Sequence, residues 1–164
     1  MKKKLILYLL SAGMGLGVML QQPVAASVLQ TVASAANTHP TEAKYDKIMQ
    51  KYANGLKAAF AEKDDKKTVT MVHKLNDEMV TALQGIKPEL ERWIKGMTEK
   101  DKEAFEQRAE TKPYLKTILE IMFNPEIGKR IENNPELKAA LESSDKRMKE
   151  MGFESDDADE EDID

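Results

Sequence analysis

The 164-residue chain has no cysteine, one tryptophan, two histidines and very few serines outside its ends. Each shortage removes a class of chemistry. Without cysteine there is no disulfide framework, no thiolate metal site, no lipid-modified cysteine and no cysteine nucleophile. Beyond residue 26, serine occurs only at 27, 34, 143, 144 and 155, and no G-x-S-x-G turn is present, so no serine hydrolase triad is recognisable. There is no glycine-rich phosphate loop and no N-x-[ST] acceptor. Period-two alternation and Val/Ile/Thr clustering are also missing, which leaves no signal for a strand.

The histidines are too few for the commoner metal and haem centres. His39 stands beside Pro40 in what reads as a leader. His73 has Asp77 one turn later, which makes two potential ligands where a catalytic zinc site needs three from the protein and a structural one four. Met49 lacks the histidine that commonly completes a haem site, and no C-x-x-C-H occurs. Met49, Met79, Met97 and Met122 fall within apolar helix stripes, where packing accounts for them better than soft-metal ligation. No catalytic, cofactor or metal residue is assigned, and the reading is of a non-enzymatic protein.

The first 26 residues run from Met1-Lys2-Lys3-Lys4 through the apolar stretch Leu5 to Leu20 to Pro23 and small residues. That order is a secretory signal peptide, with cleavage expected between Ala26 and Ser27 and a second small-residue position after Ala35. An exported chain is periplasmic or extracellular, and the small, glycine-interrupted run does not suit a retained membrane span. Cleavage leaves 22 basic and 29 acidic residues, and the eight acidic residues of Glu154–Asp164 account for the whole imbalance. A near-neutral body does not suit nucleic acid, whose phosphates call for a basic surface.

Residues 27–41 read as a flexible leader and 42–152 as one all-α domain, an irregular bundle of four to six helical segments. The first stripe is Tyr45, Ile48, Met49, Tyr52, Leu56, Ala59 and Phe60, with Thr41 as the expected cap. A second, Val69, Val72, Leu75, Met79, Leu83 and Ile86, is expected to end near Gly85, with Pro88 opening another helix that carries Leu90, Trp93, Ile94 and Met97. Thr98–Asp101 has the spacing of a capping box before Ala104, Phe105 and Ala109. Lys112-Pro113 restarts the chain into Tyr114, Leu115, Ile118, Leu119, Met122 and Phe123. Two Asn-Pro-Glu triplets, at 124–126 and 134–136, have the chemistry of helix starts. Ile127 and Ile131 pair in the first of these helices; Leu137, Leu141 and Met148 anchor the second, which is expected to end near Gly152.

The last segment, 153–164, has acidic spacing that partly resembles a calcium loop but lacks its turn glycine, and its composition is that of a disordered, solvated tail with at most weak cation binding. Export, a helical body, flexible methionines and an acidic tail together point to an adaptor or chaperone-like protein of the bacterial envelope that binds a protein or peptide partner. The alternative is a small-molecule or metal carrier using the bundle interior. Trp93, Met71, Met148 and Met151 are the candidate contact residues, and Trp93 and Phe105 are expected in the common core. Edman sequencing of protein recovered from the exported fraction should begin at Ser27; an intact Met1 held in membranes overturns the export reading.

Overall fold

The computed structural model describes residues 38–151, so the expected signal peptide, most of the expected leader and the expected acidic tail lie outside the described residues. Six helices and no strand occur among them: α1 Pro40–Ala61, α2 Asp65–Gly96, α3 Glu99–Glu110, α4 Pro113–Met122, α5 Pro125–Glu132 and α6 Pro135–Glu150. None of these helices is long and apolar enough to cross a membrane.

Helices α1 and α2 form an antiparallel pair. Lys44 meets Glu89 at one end, the Tyr52 hydroxyl donates to Asn76 Oδ1 midway, and Thr68 Oγ1 donates to the Ala59 carbonyl at the other end. Helix α4 starts beside the start of α1, with the Tyr114 ring edge-on to Tyr45 at 6.4 Å. Helix α6 lies along α2, where Asn76 Nδ2 donates to the Ala140 carbonyl at 2.7 Å and Lys87 donates to the Met151 carbonyl. Short α5 closes the α1–α2 turn through Arg130, which binds Asp65, the Phe60 carbonyl and Thr68 Oγ1. The common core is Tyr45, Leu56, Val72, Leu83, Leu90, Ile118 and Leu137 with their neighbours.

The caps follow local chemistry. Asp64, Asn124 and Asn134 each accept from the first free N–H groups of the helix they precede, and Thr98 and Asp101 make the reciprocal capping box. At α1 the cap is His39, whose Nδ1 accepts from the Thr41 N–H, while Pro40 takes the first helical position. Thr41 is buried instead of capping, and Pro40 and Thr41, read from the sequence as part of a leader, belong to α1.

Pro88 does not begin a helix; α2 runs through it for 32 residues. The apolar row Leu83, Ile86, Leu90, Trp93 and Met97 keeps one phase across the proline, so an unbroken helix places all of it toward α1 and α3. The hydrogen bond that proline removes is the one to Gln84, an exposed residue whose carbonyl water can satisfy. Helix α4 also departs from expectation. Tyr114, Ile118 and Ile121 face the core, whereas Leu119 is 40% and Phe123 77% exposed. Both rows of α4 are apolar and satisfy the helical period, and only contact with α1 decides between them.

An interior proline costs roughly 3 kcal/mol relative to alanine, whereas a first-turn proline costs little. Pro88→Ala should therefore raise the urea midpoint, by up to about 3 kcal/mol in unfolding free energy. An unchanged or lowered midpoint contradicts a continuous α2.

Candidate functional site

The start of α1, the end of α2 and helix α3 meet around Trp93. The indole stacks on the His39 imidazole, with centroids 5.3 Å apart and planes 11° from parallel, and it meets Phe105 edge-on at 5.2 Å. The His39 orientation follows from its capping bond, in which Nδ1 accepts from the Thr41 N–H. Beside these rings an open cleft of about 560 Å³ runs between α2, which supplies Arg92 and Gly96, and α3, which supplies Asp101, Ala104 and Arg108. A Cβ added at Gly96 meets nothing within 4 Å, so the cleft is unfilled at that point.

Helix α3 buries only Phe105 and Ala109, and its placement depends as well on a charged contact with α1. Glu42 in the first turn of α1 is fully buried. Arg108 grips it with two bonds, Nε to Oε1 at 3.2 Å and Nη2 to Oε2 at 2.8 Å, and Lys112 Nζ reaches Oε1 at 3.1 Å while also pairing with Asp46. Burial by itself pushes the Glu42 carboxyl upward, but the hydrogen bonds and charges of Arg108 and Lys112 outweigh it and hold the group below its ordinary value of 4.5. The same bonds push Arg108 further up. Burial drives the hydroxyls of Tyr45 and Tyr114 far above the usual tyrosine range, with the Asp46 charge adding to it, so both stay neutral. Asp101 is held low by its bonds to the Thr98 hydroxyl and N–H.

The four sequence-derived contact residues do not converge. Neither aromatic lies in the common core as expected: Trp93 is half-buried on the cleft and packs against the edge of the core, and Phe105 is buried against Trp93 outside it. Met71, half-buried, lies beside Lys67 and Thr70 near the start of α2, about 33 Å along the helix from Trp93 at 1.5 Å per residue. Met148 and Met151 are core residues, each 8% exposed, because they continue the inward row Leu137, Ala140, Leu141 and Ser144 of α6. They offer little surface to a partner. His73 is exposed, and Asp77 pairs with Arg147 of α6. Among the described residues, no three His, Asp or Glu side chains converge as metal ligands.

Sequence reasoning missed His39, Glu42, Arg108 and Lys112. Pro40 at a helix start marks the residue before it as the cap, which was the available signal for His39. Glu42 carries no such mark, since an acidic residue in a first turn is what the helix dipole favours in any case. Compared with protein-family models, curated proteins and solved structures, the chain matches none.

Removing one partner of a buried ion pair leaves the others uncompensated, so Glu42→Gln should cost about 3 kcal/mol at neutral pH. Because the folded carboxyl titrates below its unfolded value, this stabilisation is complete above about 4.5 and is lost as pH falls through the depressed folded value. Urea unfolding of the two proteins should differ at pH 7 and draw together below pH 4.5. A gap that persists unchanged in acid assigns the stability to something other than the Glu42 charge.

Proposed function

We propose that this is an exported soluble helical protein of the bacterial envelope that acts by binding, as a non-enzymatic adaptor or chaperone-like factor, and that it receives a protein partner at the Trp93 cleft. The observation that carries the reading is the half-exposed tryptophan, fixed between His39 and Phe105 in an open cleft with Arg92 on one wall and Arg108 on the other. A rigid aromatic with one side in the protein and the other in solvent loses little entropy when covered, which is why tryptophan and arginine so often anchor partners. The signal-peptide pattern and the acidic tail support an exported protein kept soluble by charge.

A second reading, as a carrier of a small molecule, draws on the cleft volume of about 560 Å³, which falls in the range of small-ligand sites. The ligand would then occupy this cleft, since Tyr45, Leu56 and Leu83 fill the bundle interior.

The test places a photocrosslinking residue at position 96, where the added atoms enter open space, and a control at exposed Ala58 on α1. Irradiation in the exported fraction of the native cell should give a discrete protein adduct from position 96 and none from 58. Equal labelling from both positions overturns the reading. A bound small-molecule mass in native mass spectrometry, without a protein adduct, selects the carrier.

A further inference from the structure

Arg92 differs from every other charged group on the cleft. Arg108 spends Nε and Nη2 on Glu42, and Asp101 is committed to Thr98. Arg92 is exposed and donates Nε to the Pro88 carbonyl at 3.2 Å; the Glu89 carboxylate on the same helix feels its charge but is held by Lys44, and among the described residues the terminal nitrogens of Arg92 make no hydrogen bond and no ion pair within 4 Å. One end of this guanidinium is thus anchored to its own helix while its two parallel donors remain available, the geometry that matches a carboxylate bidentately. Gly96 is one turn further along the same face of α2, and the space above it is open beside Trp93.

Given the Trp93 cleft as the binding site, on which this inference rests, we propose that its occupant is an extended segment of a protein partner with a Glu or Asp two residues from a large apolar side chain. The carboxylate sits on Arg92, and the apolar group enters the slot over Gly96 against Trp93. The spacing agrees: one helical turn advances about 5.4 Å, and alternate residues of an extended chain lie about 6.6 Å apart on one side. Asp101 on the opposite wall repels a second carboxylate, so the cleft suits an isolated acidic position flanked by apolar residues. The chain's own tail places Glu161 two residues from Ile163, but with eight acidic residues in Glu154–Asp164 it crowds carboxylates where the cleft accepts one.

Trp93 is the chain's only tryptophan, so its emission reports on the cleft directly. The full chain without its signal segment is titrated with short blocked peptides carrying Glu and Leu two residues apart, and with the same peptide bearing Gln in place of Glu. The Glu peptide should shift Trp93 emission and bind about tenfold or more tighter than the Gln peptide, the difference expected for a hydrogen bond to a charged group. Arg92→Gln should remove that preference so that the two peptides bind alike, Arg92→Lys should restore it in part, and Gly96→Leu should abolish binding of both peptides. Equal affinity for the two peptides, lost in Gly96→Leu, overturns the acidic partner while the cleft stands. Peptides that bind equally well to Gly96→Leu, or that never move Trp93 emission, overturn both. If deleting residues 153–164 alone shifts Trp93 emission and tightens peptide binding, the tail is the resident occupant and the partner assignment falls.

Discussion

A carboxylate taken wholly out of water must be matched, and at the open end of this bundle the matching of Glu42 decides where three helices go. Arg108 comes from α3 and Lys112 from the turn into α4, so a single first-turn residue of α1 fixes both. Apolar burial on α3 is limited to Phe105 and Ala109, too little to specify its position alone. With Arg108 held on Glu42, Phe105 arrives against the edge of Trp93, and the space between α2 and α3 becomes a cleft of defined width. Electrostatic contact here sets geometry more than it adds stability, since desolvation of the partners offsets much of their attraction.

The helices themselves were legible because their signals are local. Asn124, Asn134, Asp64 and the Thr98–Asp101 box each cap within a few residues of their own position, and the apolar rows of α1 and α6 have only one plausible inward face. Legibility failed where the deciding partner is distant. Pro88 looks like a start signal until Leu90 and Trp93 are seen to keep the phase of Leu83, and α4 has two apolar rows that only α1 can tell apart. Arg108 and Glu42 are 66 residues apart, and neither differs locally from an ordinary surface charge. Trp93 was recognisable as an aromatic worth noting; that it would meet His39 from beyond the helix start was not.

Polar groups also fix how the other helices register. Thr68, fully buried, has its single hydroxyl proton within reach of two backbone carbonyls, Ala59 at the end of α1 and Asp64 at its own helix start, and accepts from Arg130 of α5, so three segments meet at one hydroxyl. Gly55 supplies the complementary steric fit: a Cβ there would lie 2.1 Å from Leu75 Cδ2, so the half-buried Leu75 side chain of α2 occupies the space that the glycine leaves on α1.

Asn76 gives this arrangement a temporal dimension. Its Oδ1 is satisfied by Tyr52, within the α1–α2 pair, but its Nδ2 must wait for the Ala140 carbonyl, 64 residues further along the chain. While the helical hairpin stands alone, that amide has water as its partner; any collapse that covers it without α6 in the right register strands a buried donor at a cost of about 1–3 kcal/mol. Docking of α6 is therefore subject to a register condition set by one amide, and the α1–α2 pair reaches full satisfaction of its buried polar groups only with α6 in place.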